Sequence, residues 1–194
     1  MTEFKSLCLY CGSAKGRDPA FHEAAEQLGR EFARRGIRLV YGGGHVGLMG
    51  IAADAALGAG GTVVGVIPKF LLDAEVGHLG ATELVVVSSM HERKQRMFEL
   101  ADGFVILPGG LGTIDEMIEM ITWKQLHLHD KPVVVVDLQG YWHPLTAFVD
   151  HIIAEGFARP QVKKLFSVVA GVDEVFDALA AAPPARIHPA PGRI

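Results

Sequence analysis

In the stretch LPGGLGTIDEM, residues 107–117, Thr113 and Glu116 stand at the mouth of a helix, directly after a loop almost stripped of side chains. Gly109, Gly110 and Gly112 leave the main-chain N–H groups of that loop open to a ligand, because glycine lets a ligand approach the backbone directly. A helix N-terminus adds unpaired donors and partial positive charge, and the combination suits a phosphate. Glu116, one turn further on, could then act on whatever the phosphate carries. A second helix begins at SSMHERKQRMFEL, where Ser89 and Glu92 have the spacing of a capping box. Its apolar side is Met90, Met97 and Leu100, and Arg93 falls inside that stripe, with Lys94 on the flank. A guanidinium aimed where an apolar residue is expected needs an anion or a buried partner, and its planar fork suits phosphate or carboxylate. Two plainer readings stay open at this point: Glu116 as a complement to the helix dipole, and Arg93 as a snorkelling side chain at the core edge.

Two more loops share the glycine chemistry. CGSAKG offers Gly12 and Ser13, and YGGGHVGLMG offers Gly43 and Gly44. Each alone reads as a tight turn; three at successive strand ends favour a bound anion. Gly42, Gly44 and Gly47 formally satisfy G-x-G-x-x-G. A dinucleotide site also wants an acidic residue about 20 positions later, on the ribose, and here the next strand ends in VIPKF. NAD is therefore not expected, and no nucleoside-triphosphatase loop occurs. A smaller phosphate ligand, such as a nucleoside monophosphate, remains.

These loops need a scaffold. The runs LCLYC, IRLVYG, TVVGVI, ELVVV, FVILP, KPVVVVD and FSVVA read as strands, with helix-like segments at 19–35, 48–57, 90–100, 114–126 and 143–155 between them. Alternation of this kind, with nearly continuous apolar strands, predicts an α/β fold: a Rossmann-like, doubly wound, mostly parallel sheet of about seven strands with helices on both faces. Ligands of such sheets bind beyond the carboxyl ends of the strands, where the glycine loops fall. Residues 68–80 read as a long loop. Residues 1–181 form one domain, and 182–194 a proline-rich tail. On the helix over 114–126, Ile114, Met117, Ile118 and Ile121 make the expected sheet-facing stripe. Thr113, Glu116, Met120 and Trp123 make a second stripe, expected to line a pocket or meet another subunit.

Composition narrows the function. With 49% hydrophobic residues and a mean hydropathy of +0.27, the chain suits buried sheet. A net charge of -4 without a basic stripe excludes a nucleic-acid footprint. The longest apolar runs are too short to span a bilayer, and MTEFKS lacks the features of a signal peptide, so the cytoplasm is expected. Cys8 and Cys11 spell C-x-x-C on a strand, where residues three apart point to opposite faces, so buried core thiols are expected rather than a redox pair. The histidines, His127 and His129 among them, lack H-E-x-x-H context and are expected at the surface; no metal and no cofactor are expected.

The pair SMHERKQRM and LPGGLGTIDE, together with CGS, YGGG…GLMG and ITWKQL…HDKPV, resembles the LOG (Lonely Guy) family of cytokinin-activating phosphoribohydrolases over roughly residues 6–170. Members have often been labelled lysine decarboxylases, yet no pyridoxal-phosphate signature is present. The resemblance implies hydrolysis of the N-glycosidic bond of N6-modified adenosine 5′-monophosphates to a free cytokinin base and ribose 5-phosphate, with AMP as a further substrate. It implies that Arg93 and Glu116 are the catalytic pair. It assigns the phosphate to Gly110, Leu111, Gly112 and Thr113, nucleotide contacts to Arg93 and Lys94, and completion of the site to Thr122. Glu75, in DAEVGH, matches a substrate-contacting glutamate. A homodimer with its active site near the subunit boundary is also implied. The alternative is a non-catalytic nucleotide or molybdenum-cofactor carrier of the same fold, which would need the phosphate cradle but not the Arg93–Glu116 pair.

Overall fold

Because parallel neighbours need crossover connections, each apolar run is followed by a segment that returns the chain across one face of the sheet. A computed structural model describes residues 4–74 and 77–182. The strands are β1 (Ser6–Tyr10), β2 (Arg38–Tyr41), β3 (Val63–Pro68), β4 (Glu83–Val87), β5 (Gly103–Ile106), β6 (Val133–Val136) and β7 (Ser167–Val169). They form one sheet in the order β4-β3-β2-β1-β5-β6-β7, and every pairing is parallel. The order reverses between β1 and β5, the switch point beside which the glycine loops leave the sheet. Edge strands β4 and β7 are only partly buried, while β1, β3, β5 and β6 are buried throughout.

Alternation along the strands feeds two cores. Leu7, Leu9, Leu39, Val105 and Val134 pack with helices α1 (Pro19–Arg34), α2 (Gly47–Gly58) and α7 (Val175–Ala181). On the other face Cys8, Tyr10, Val40, Phe104 and Val135 pack with α4 (Met90–Leu100) and α5 (Leu111–Gln125). Cys8 and Cys11 are both buried but belong to opposite cores, and burial pushes both thiols well above the ordinary range. They cannot form a C-x-x-C redox pair across the sheet.

Helix starts follow local chemistry. Asp18 caps α1, accepting from Ala20 N at 2.9 Å with Pro19 in the first turn, and Ser89 caps α4, accepting from Glu92 N at 3.1 Å. The capping box is not closed as expected: Glu92 Oε2 accepts from Ser88 N (2.7 Å) and Ser88 Oγ (2.6 Å) instead.

Three expectations change. Residues 68–80 are not all loop, since they carry the five-residue helix α3 (Lys69–Asp73) and an antiparallel bridge from Gly77 to Gly44. On α5, Ile118 is 40% exposed whereas Met120 is fully buried, so the two expected stripes are partly exchanged. The cause is packing from two sides: the sheet covers Met117 and Ile121, and Thr113, Glu116 and Met120 are also shut in. His129 is no surface histidine; it is buried, with Nε2 2.9 Å from Met120 O and Nδ1 accepting from Lys131 N at 3.0 Å, and burial lowers its pKa. The tail from 183 onward lies outside the described residues. Among the described residues no helix is long and apolar enough to cross a membrane.

Candidate active site

Helix α5 starts at Leu111 behind Gly110, three residues earlier than the periodicity suggested, and among the described residues no side chain caps it. Unlike α1 and α4, it presents its first N–H groups bare, the condition under which a helix end takes up an anion. Close packing explains the preceding glycine. A Cβ on Gly109 would collide with Thr113 Oγ1 and come within 2.8 Å of Gly12 N. Gly12 N in turn donates to Pro108 O at 3.0 Å, which ties the β1 loop to the β5 loop. Between these loops lies a cavity of about 280 Å³ bordered by Gly12, Ser13, Gly109 and Gly110, with Phe21 and Tyr141 on its other side. Tyr141 Oη donates to Gly109 O at 2.6 Å and meets Phe21 edge to face at 5.5 Å.

One turn along α5, Glu116 is 7% exposed and Arg93 likewise 7%. Arg93 Nη1 donates to Glu116 Oε1 at 2.5 Å, and Arg93 Nε donates to Val66 O at 3.2 Å. Arg93 Nη2 lies so close to Gly42 that a Cβ there would collide with it. The arginine in the apolar stripe of α4 therefore has a buried carboxylate partner and is not snorkelling. Burial raises the pKa of Glu116, and the charge and hydrogen bond of Arg93 pull it back; the net displacement is upward. A carboxylate with its pKa displaced upward, and with only one oxygen held by the guanidinium, is a better proton acceptor than an ordinary one.

Lys94 is also buried, at 9% exposure, but its ammonium lies 3.1 Å from Asp115 and 3.2 Å from Glu119. Burial works to lower its pKa; the hydrogen bonds and charges of the two carboxylates outweigh it, leaving Lys94 above the ordinary lysine value. Gly43 and Gly44 do not border the 280 Å³ cavity. Gly43, at φ +74°, is pressed on β3, where a Cβ would come within 2.9 Å of Ile67 Cβ, and its carbonyl accepts from His78 N at 2.8 Å. Thr122 is six residues beyond Glu116, about 120° away around the helix. It lines a separate apolar cavity of about 240 Å³ with Ile118, Trp142 and Leu145. Glu75 lies outside the described residues.

The structure thus joins Gly12, Ser13, Gly109 and Gly110 around one cavity, brings Arg93 to Glu116 beside Thr113, and leaves Thr122 apart. Gly42, Val66 and Tyr141 were missed in the sequence. Only the G-x-G-x-x-G match marked Gly42, and nothing local singles out Val66 or Tyr141.

A family model described as possible lysine decarboxylase matches residues 49–179. The cytokinin riboside 5′-monophosphate phosphoribohydrolase LOG of Oryza sativa subsp. japonica is 46% identical over 164 residues, covering 84% of this chain and 68% of the rice protein. The cytokinin riboside 5′-monophosphate phosphoribohydrolase of Rhodococcoides fascians is 46% identical over 176 residues, covering 90% of this chain and 89% of its own. Among solved structures, the molybdenum cofactor binding protein of the phototrophic bacterium Rippkaea orientalis matches with a TM-score of 0.69 at 19% identity, over 91% of this chain and 95% of that one. At that identity the likeness speaks for the fold alone.

Proposed function

This chain belongs to the LOG family of cytokinin riboside 5′-monophosphate phosphoribohydrolases, and from that premise we propose how its residues hydrolyse the N-glycosidic bond of N6-modified adenosine 5′-monophosphates. The products are the free base and ribose 5-phosphate. The observation that carries this reading is the buried Arg93–Glu116 pair one turn beyond a bare helix N-terminus. A carrier would need the glycine cradle, but it has no use for a carboxylate buried at the cost of its own ionisation.

The substrate phosphate lies against the N–H groups of residues 110–113, with Gly12 and Gly109 leaving the near side of the cavity open and Ser13 at its border. A helical turn, ~5.4 Å, spans the distance from phosphate to anomeric carbon in ribose 5-phosphate, so Glu116 meets the sugar. Cleavage builds positive charge on the ribose ring, as in other glycoside hydrolyses. Glu116 stabilises that charge and takes a proton from the attacking water. The water oxygen bonds to C1′ as the C1′–N bond breaks, and the proton passes on to the departing base. Arg93 holds one carboxylate oxygen, leaving the other for water and sugar. Lys94 neutralises Asp115 and Glu119, which would otherwise repel the phosphate, and so favours nucleotide binding from one position away.

A homodimer belongs to the same reading. Helix α6 (His143–Ala154) is mostly apolar yet buries none of its residues, and Phe148 and Phe157 are 57% and 87% exposed. A second copy on this face would cover them, and Thr122, which faces away from Glu116 in its own chain, could complete the site only from such a partner. The test is release of free base from isopentenyladenosine 5′-monophosphate and from AMP, with the unphosphorylated riboside as control. Turnover of the monophosphates and not the riboside is expected. Binding of both nucleotides without turnover would make the protein a carrier.

A further inference from the structure

One cluster of titratable side chains lies outside the cleft. His45 follows the β2 loop, Asp54 projects from α2, and His78 comes from the segment between α3 and β4. Asp54 gathers both imidazoles: His45 Nε2 is 3.1 Å from Oδ2, and His78 Nε2 is 3.0 Å from Oδ1. The two rings stack with centroids 4.0 Å apart and planes 29° from parallel. His78 is 4% exposed, whereas His45 and Asp54 are about half exposed.

Two histidines and a carboxylate with ligand atoms within 4.8 Å of one another suggest a cation, but their orientation opposes one. Stacked rings send their Nε2 lone pairs side by side instead of converging. Moreover, His78 Nδ1 accepts from Gly80 N at 3.1 Å. The proton of neutral His78 therefore sits on Nε2 and is donated to Asp54, whereas a metal ligand nitrogen must be bare. The cluster is a hydrogen-bonded clamp.

What the clamp holds adjoins the reactive pair. It closes the segment around His78 onto the β2 loop, where His78 N donates to Gly43 O and Gly77 bridges Gly44. Gly43 rests on Val66 and Ile67, and its neighbour Gly42 walls in the guanidinium of Arg93, whose Nε is bound by Val66 O. Clamp and guanidinium thus share a single stretch of main chain. We infer that Asp54 is a positioning residue for the Arg93–Glu116 pair, fixing the β2 glycine loop through His45 and His78 so that Gly42 keeps the guanidinium aimed at Glu116.

The activity readout of this inference rests on the phosphoribohydrolase reading; the clamp itself can be tested without it. Asp54→Ala should lower kcat about tenfold, equivalent to about 1.4 kcal/mol, with KM within about threefold because the phosphate cradle on α5 is untouched. A looser guanidinium pulls less on Glu116, so the acid limb of the kcat–pH profile should move to higher pH. The other groups that act on Glu116, Lys94 on α4 and Asp115 on α5, are unaltered by the substitution, as are Cys8 and Tyr10 on β1 and Cys11 just after it. Asp54→Asn, whose amide oxygen still accepts from one imidazole, should fall between wild type and Asp54→Ala. In parallel, hydrogen exchange should show the His78 amide losing protection in Asp54→Ala whether or not the protein turns over nucleotide. A wild-type kcat and acid limb in Asp54→Ala would overturn the inference, as would unchanged exchange at His78. So would loss of thermal stability with kcat and KM degraded together, or one equivalent of zinc bound by the wild type with activity lost on chelation. If the wild type releases no base while His78 exchange responds as expected, the functional reading fails and the clamp stands.

Discussion

Arg93 and Lys94, adjacent on α4, both reach carboxylates of α5, and the two sets of contacts differ in burial and in length. Arg93 and Glu116 are both buried and meet at 2.5 Å, with the guanidinium held on other sides by Val66 and Gly42. Lys94 is buried too, but its carboxylates are only partly so: the Asp115 side chain is 60% exposed and that of Glu119 22%. A fully buried pair has no water to replace a missing partner, and its charges are costly to separate. A pair with one wet member is screened and replaceable. In the proposed mechanism these neighbouring residues serve different ends, the first holding the carboxylate that acts on the sugar and the second managing charge around it.

Glu116→Gln breaks the comparison most sharply. It removes the proton acceptor while keeping the shape, so kcat for base release should fall about 10³-fold with nucleotide affinity near wild type by calorimetry. Turnover unchanged from wild type would remove Glu116 from the chemistry. Arg93→Ala should cost about 10²-fold in kcat through lost orientation and also destabilise by about 3–5 kcal/mol, since Glu116 is left buried without its partner. Urea titration checks the second effect. Replacing both residues by methionine should restore much of the stability and none of the activity, and a destabilised double variant would show the pair to be structurally indispensable.

The pH dependence sharpens the same contrast. Glu116 has its pKa raised by burial, so base release should fail on acidification at a pH above the ordinary carboxylate range, as Glu116 takes up its proton. For stability the sign runs the other way. A carboxyl with a raised folded-state pKa favours folding below its unfolded value, and that contribution is lost as pH rises through the folded value. Glu116→Gln should therefore flatten stability against pH between those two values, which thermal melts across that window will report. The smallest effect belongs to the second pair. Lys94→Met should raise KM by about threefold with kcat nearly unchanged, and should move stability by no more than about 1 kcal/mol, because water reaches Asp115, the more exposed of the two carboxylates left behind. A kcat loss matching that of Arg93→Ala would erase the distinction between the pairs.

Much of this is legible in the sequence. All seven strands were visible as apolar runs, and Asp18–Pro19 and Ser89 signal their helix starts by rules that involve only near neighbours. Arg93 was conspicuous because it breaks an apolar stripe, and Glu116 because it follows bare glycines. Helix α7 was not anticipated, its seven residues being too short for periodicity to register. Ile118 and Met120 misled because α5 is covered from two directions, which no single stripe encodes. His129 was misplaced because its buried partner, Met120 O, is set by how the chain returns after α5.

By itself the sequence determined the alternation of strand and helix, the parallel sheet, the glycine loops at the strand ends, and the kinds of charge available there. Those properties depend on residues a few positions apart and on backbone geometry common to all chains. Tertiary structure alone decided that Arg93 would spend its hydrogen bonds on Glu116 and Val66, 23 and 27 residues away, that Lys94 would be drawn off by Asp115 and Glu119, and that Thr122 would face away from the acid on its own helix. Such partnerships follow from the rotation and depth at which two helices settle on a sheet, and those are set by the packing of the whole core.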